Sequence, residues 1–302
     1  MVDANYDRAV RQRAFEFLTE LMDRYGEVLP RSELEQGFTY QGHRVPLLAP
    51  QGIFKPRILD QPLTIATSPN SPYRDTFTDD GLIQYCYRGT DWKHRDNAGL
   101  RATMESRVPI IYIRGILPGK YVATWPVYVV ADDPYGLKFT IAVDNAVQFP
   151  DEHLLHDSKF DLETALRRKY VTRETRTRLH QRAFRERVIN AYRTQCAMCR
   201  LRHEELLDAA HITPDSEEGE PIVSNGIALC KIHHAAFDKN IIGIRPDYIV
   251  EVRKDILQEV DGPMLKYGLQ QMAGTKIQLP HSIKNHPNRD QLEKQFDEFC
   301  RR

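Results

Sequence analysis

Apolar positions set the first divisions of the chain. Over residues 5–25, Tyr6, Val10, Ala14, Phe17, Leu18, Leu21 and Tyr25 recur near helical spacing with Gly26 beyond them, which predicts an amphipathic helix. From about Gly37 to Phe149 the texture changes to short β-branched and aromatic runs separated by Gly, Pro, Asn and Asp. Leu63–Thr67, Leu82–Tyr87, Ile110–Ile113, Tyr121–Val130 and Leu137–Val143 read as strands of a closed or half-closed barrel or a sandwich, rather than of a parallel α/β sheet. Leu154–Tyr192 returns to charged helix with few breakers, and a last helix is predicted over Arg289–Cys300. The expected class is α+β. Residues 1–150 form an amino-terminal helix and a β-barrel-like domain, 151–192 a basic helical linker, and 193–302 a carboxy-terminal domain.

Length and composition agree with this division. A chain of 302 residues with 41% hydrophobic and 28% charged positions can bury two cores and is neither disordered nor collagen-like. The longest apolar stretch, Val108–Val130, is broken by Arg114, Pro118, Gly119 and Lys120, so no membrane span is expected. Residues 1–20 carry Asp3, Asp7, Arg8, Arg11 and Arg13 and no apolar signal region, so a cytoplasmic protein is expected.

Net charge is zero, with 42 basic and 42 acidic residues, but the two signs are segregated. Between Arg167 and Arg187 nine Arg and Lys, among them Arg176, Arg178 and Arg182, face only Glu174 and Glu186. Between His203 and Pro221 there are seven acids and no Lys or Arg. A basic block beside an acidic loop suits a nucleic-acid contact next to a metal-attracting surface; a solvated helix with i,i+4 pairs is the plainer alternative.

Five cysteines without an export signal do not make a disulfide framework. Cys86 and Cys300 stand alone. Cys196-Ala-Met-Cys199 and, thirty residues later, Cys230-Lys-Ile-His233 form two x₂-spaced pairs of the kind that hold tetrahedral zinc. Three thiolates and one nitrogen fill that sphere, so the zinc would be structural and would stabilise a fold with little core of its own.

A second set lies between and beside these knuckles: Asp208-Ala-Ala-His211-Ile-x-Pro214, Asn225-Gly226, and His234-Ala-Ala-Phe-Asp238. Over about fifty residues, Cys196 to roughly Ile244, the order and spacing resemble the HNH endonuclease family. That resemblance implies a ββα-metal fold with a His on a strand, an Asn in a loop and a His on a helix around one divalent cation. It makes His211 the general base and Asn225 the residue that orients its imidazole. His234 becomes a cation ligand, with Asp238 one helical turn on. A neutral imidazole suits the base role on chemical grounds as well, because its ordinary pKa lies near neutrality. Where many members carry a metal ligand just before the base, this chain has Ala210. Asp208 either replaces that ligand or orients one. Such donors favour Mg2+ or Mn2+, with Ni2+ or Co2+ able to substitute in vitro. Because His233 and His234 are adjacent they must point differently; His233 is assigned to zinc and His234 to the catalytic cation, the reverse assignment remaining open.

The amino-terminal half must supply selectivity, since a phosphate-directed nuclease reads little sequence. The segment from Pro72 through Asn97 is dense in aromatics, charges and amides. Tyr85, Tyr87 and Trp92 can stack on a flipped base; Asp91, Asp96 and Asn97 can read its edge; Arg74 and Arg88 can hold phosphate. For each, core packing or turn chemistry is the alternative. The segments His43–Leu48, Asp79–Leu82, Tyr87–Gly89 and Trp125–Val130 resemble modification-dependent restriction enzymes in which an SRA-like, PUA-superfamily barrel precedes an HNH nuclease. The resemblance implies double-stranded DNA carrying modified cytosine as substrate; separately, a double-strand cut by a nuclease with one site per chain suggests a homodimer. A non-catalytic DNA reader with a zinc scaffold, a nuclease toxin and a mobile-element endonuclease are the competing readings.

Overall fold

The structure is a computed structural model that describes residues 2–69, 76–77, 82–143, 177–214 and 219–301. Arg74, Arg176, the segment Asp79–Gly81 and residues 151–176 of the linker expected over 151–192 lie outside the described residues. The chain divides into two compact units, Met1–Leu179 and His180–Arg302.

The first unit is a mixed sheet with one long helix on it. Helix α1 (Ala4–Tyr25) begins at Asp3, whose side chain accepts the Asn5 N–H, and ends at Gly26 with φ 73°. Its buried stripe, Val10, Ala14, Leu18 and Leu21, enters a core with Leu34, Phe38, Ile111, Ile113 and Tyr121. After it come β1 (Leu29–Pro30), α2 (Arg31–Gln36), the hairpin β2 (Phe38–Tyr40) and β3 (His43–Val45), β4 (Ile53–Phe54) and β5 (Thr64–Thr67). The unit continues through β6 (Thr76–Phe77), β7 (Ile83–Cys86), α3 (Arg95–Glu105), β8 (Ile110–Leu117), β9 (Lys120–Asp133) and β10 (Lys138–Val143). The sheet runs β4-β5-β8-β9-β10-β7-β6, with β1 on β9, and curls into a half-barrel. Register shifts in the β8–β9 and β9–β10 pairs supply the bending that a bulge brings.

The five strands expected from the apolar runs are all present. One feature departs from expectation: β5 and β8 are parallel. Helix α3 lies between them in sequence and permits that connection. Its first residues are polar, and it buries only Asn97, Leu100 and Thr103, so it lacks the stripe that marks a helix.

The second unit is built around helix α4, described over residues 177–191, and a short hairpin. Strands β11 (Leu207–His211) and β12 (Gly226–Cys230) pair antiparallel in unbroken register from Leu207↔Cys230 to His211↔Gly226. Helix α5 (Lys231–Asp238) follows directly. A second hairpin, β13 (Ile242–Ile244) and β14 (Val250–Val252), leads to α6 (Lys254–Gln258), α7 (Pro263–Gly268) and α8 (Arg289–Cys300). Phe184, Val188 and Ile189 from α4, and Tyr192 just after it, share one core with Leu207, Ile227, Leu229, Phe237, Ile242 and Leu292. Among the described residues, no helix is long and apolar enough to cross a membrane.

Candidate metal and nuclease centre

Cys196, Cys199, Cys230 and His233 come together so that their ligand atoms all lie within 4.8 Å of one another. Two local devices bring this about. The first knuckle turns back on itself: Cys196 N–H donates to the Leu201 carbonyl at 2.9 Å, Arg200 N–H donates to the Cys196 carbonyl at 3.0 Å, and Arg200 adopts φ 62°. The second knuckle uses the end of β12, where Cys230 sits at the N-cap of α5 and His233 follows one turn later. His233 Nδ1 lies 3.4 Å from Cys196 Sγ and 3.2 Å from Cys230 Sγ. Its other nitrogen donates to the Gly268 carbonyl at 2.7 Å, which turns Nδ1 toward the sulfurs.

Burial disfavours the His233 imidazolium, but the hydrogen bonds to Cys196 and Cys230 outweigh it, and the group is pushed up to about 10. The hydrogen bonds from Cys196 and Cys199 hold the Cys230 thiol low, and those to Cys196 and Cys230 push the Cys199 thiol up. Three sulfurs and one ring nitrogen converging on one point fit a tetrahedral metal site.

The second set is divided between the two faces of the hairpin, Asp208, His234 and Asp238 on one and His211 on the other. Successive residues of a strand alternate faces, so Asp208 and Ala210 share one face of β11 and His211 lies on the other. The contacts agree with that rule. On the α5 face, Asp208 Oδ2 lies 3.3 Å from His234 Nδ1 and 3.1 Å from Lys231 Nζ. His234 Nε2 lies 3.4 Å from an Asp238 oxygen. The hydrogen bond from His234, reinforced by Lys231, outweighs burial and holds the Asp208 carboxyl well below the usual carboxylate range. The reciprocal bond raises the His234 imidazole above its ordinary value. Asp208, His234 and Asp238 are thus assembled, with the two carboxylates at opposite nitrogens of one ring.

On the α4 face, His211 stacks on Phe184, ring centroids 3.9 Å apart and planes 12° from parallel. Asn225 is fully buried and staples the loop between the strands. Its side chain accepts from Thr213 N–H at 2.9 Å and donates to the Thr213 and Glu220 carbonyls, each at 3.0 Å. Its own carbonyl accepts from Ile212 N–H, the residue after His211, at 3.0 Å. The amide therefore fixes the backbone that follows His211. Sequence reasoning passed over Phe184, Lys231 and Arg185. The Arg185 guanidinium donates to the Glu204 and Leu207 carbonyls at 3.1 and 2.9 Å and lies 3.8 Å from Asp208. Arg178 on the same helix is exposed, and burial lowers the pKa of half-buried Arg182.

In the first unit the candidate readers separate into two groups. Tyr85, Tyr87 and Arg88 line a cavity of about 530 Å3 together with Arg31, Gly52 and Tyr121. Both tyrosines are engaged: Tyr85 OH donates to the Ala66 carbonyl, and Tyr87 stacks on Phe139 and bonds Asp132. Asp91, Trp92, Asp96 and Asn97 do not line it. Buried Asn97 accepts from Arg88 N–H and donates to the Arg88 and Asp91 carbonyls, Asp91 caps Lys93 N–H, and Asp96 pairs with Arg88. Trp92 is 47% exposed, with Lys93 and Arg101 over its ring.

Comparison with known proteins gives a local family match and a loose structural similarity. Residues 196–245 match the family model of the HNH endonucleases. No curated protein sequence matches the chain. Among solved structures, a chain described as a modification dependent TagI restriction endonuclease is 15% identical over 79% of this chain and 81% of that one. Its TM-score of 0.30 is too loose a superposition to carry an argument.

Proposed function

We propose that the chain is a metal-dependent DNA endonuclease whose centre is the β11–β12–α5 unit. The observation that carries this reading is the coincidence of the HNH match, residues 196–245, with a strand–loop–strand–helix stretch that holds both a metal cluster and a separate polar set. Cys196, Cys199, Cys230 and His233 hold structural zinc, in keeping with their donor chemistry. Asp208, His234 and Asp238 supply donors for a catalytic divalent cation, Mg2+ or Mn2+, which would stabilise charge on the leaving 3′ oxygen of a phosphodiester. His211 accepts the proton of the attacking water. Asn225 keeps the backbone after His211 in place. Lys231 offers positive charge beside Asp208, and Arg178 and Arg182 neutralise phosphates at a distance from the chemistry.

The amino-terminal unit supplies selectivity, by an SRA-like reading of modified cytosine in double-stranded DNA. Its cavity falls within the ~300–1,000 Å3 range of small-ligand sites, and Tyr85, Tyr87 and Arg88 give it a wall of two aromatic rings and one cation. A one-methyl difference in such a pocket supplies about 1–3 kcal/mol, so the preference for a methylated over a bare site is about 10- to 200-fold. A single nuclease centre cuts one strand, so double-strand cleavage uses two copies of the chain.

The test is digestion of matched unmodified, methylated and hydroxymethylated duplexes with Mg2+ or Mn2+. Cleavage of the modified duplex, abolished by chelation of the added cation, is expected. Binding of modified DNA without cleavage under any cation, by protein of full zinc content, would make the chain a reader with a zinc scaffold.

A further inference from the structure

We propose that Phe184 of α4 is a positioning residue for His211, which makes α4 part of the nuclease centre although it precedes the matched residues 196–245. The inference rests on the reading of His211 as general base. Two segments, α4 and the Asn225–Gly226 stretch that opens β12, converge on His211. Phe184 lies face to face with it, centroids 3.9 Å apart and planes 12° from parallel. Gly226 stands directly opposite His211 in the strand ladder. A Cβ on Gly226 would lie 2.7 Å from Phe184 Cζ and 2.5 Å from Val188 Cγ2. The Gly226 backbone, at φ −136° and ψ 147°, is extended and open to any residue. Glycine is therefore required here for space, so that the Phe184 ring can reach the base. Finally, the Asn225 carbonyl holds Ile212 N–H and fixes the chain just beyond His211.

The chemical consequence follows from the shape of imidazole. Both nitrogens accept or donate only in the plane of the ring, so a flat neighbour that fixes the plane also fixes the direction of proton transfer. Arg185, the next residue of α4, binds the carbonyls of Glu204 and Leu207 at the other end of β11. One helix thus holds the strand at its start and holds its last side chain in one orientation.

The test uses the full-length protein and two substitutions. Phe184→Leu keeps an apolar side chain and removes the flat ring. Gly226→Ala keeps Phe184 and drives its ring away. The readouts are the single-turnover cleavage rate, duplex affinity, zinc content and the His211 ring-proton NMR signals, assigned by comparison with His211→Ala. Both variants should lose the upfield shift that a stacked ring imposes. Both should also cleave about 10- to 100-fold more slowly, the scale of misplacing a reacting group by ~1 Å, with affinity and zinc content unchanged. Wild-type cleavage after loss of the shift overturns the proposal, as does slowed cleavage with the shift intact. Should Phe184→Leu fail to fold, Gly226→Ala gives the same decision. Full activity of His211→Ala would overturn the general-base reading itself; an inactive His211→Ala beside normal Phe184→Leu and Gly226→Ala overturns only the role of Phe184.

Discussion

Two clusters of ligating side chains share helix α5, and they are built in opposite ways. The cysteine cluster is closed: four ligand atoms lie within 4.8 Å, three of its residues are buried, and the free nitrogen of His233 is tied to Gly268. The cluster of Asp208, His234 and Asp238 is open. Its side chains are partly exposed, its carboxylates flank one imidazole, and Lys231 stands beside it. Adjacent histidines on one helix serve both, because successive residues point about 100° apart around it. A closed set has no room for a substrate and holds the fold; an open set can exchange its partners and perform chemistry.

The largest effect that would break this contrast is loss of the closed cluster. Structural zinc contributes apparent binding free energies of about 10–16 kcal/mol, as much as the whole stability of an ordinary domain, about 5–15 kcal/mol. Cys199→Ser, or chelation strong enough to strip the metal, should therefore unfold the second unit, seen as loss of its cooperative melting transition. An unchanged transition would remove the closed cluster from the account. Next comes His234→Ala, which should retain structural zinc and the fold while cleavage drops by at least ~10²-fold, as for other residues at a reaction centre. Selective loss of the zinc in that variant would show that the two histidines exchange roles.

Smaller effects sharpen the same distinction. Asn97→Ala and Asn225→Ala each strand buried partners, at about 1–3 kcal/mol per unsatisfied group, and should lower the melting temperature. Asn97→Ala should leave the discrimination between modified and bare DNA unchanged, because its amide is engaged by the Arg88–Asp91 turn. A variant of normal stability that has lost discrimination would turn Asn97 into a reader. The smallest expected effect belongs to α4: Arg178→Glu should reduce the log–log salt slope of DNA binding by roughly one unit if Arg178 meets a phosphate. An identical slope would return Arg178 to a solvated face.

What could be read from the sequence divides along the same line. The Cys-x₂-Cys and Cys-x₂-His knuckles are legible because metal geometry demands short, local spacing. The five strands expected in the first unit are legible because their β-branched and aromatic runs stand between breakers. Contacts that join distant segments leave no such trace. Nothing in the residues around His211 announces Phe184, 27 positions earlier. The basic composition of 167–187 also obscures the apolar face of the helix expected there, whose Phe184 and Val188 are core. In the first unit, aromatics beside amides read equally as a base pocket or as turn chemistry. The structure places Tyr85 and Tyr87 on a cavity wall and Asn97 in the first turn of α3, tied to the Arg88–Asp91 turn, a division that needs tertiary contacts.

The proposed endonuclease would hydrolyse DNA with a polar set distinct from its metal scaffold. The most direct measurement is the single-turnover cleavage rate of full-length His211→Ala on a modified duplex, with zinc content and DNA affinity measured on the same preparation. A loss of at least ~10²-fold is expected, the lower range for removal of a general base, with zinc and affinity at their wild-type values. Cleavage at the wild-type rate would contradict it.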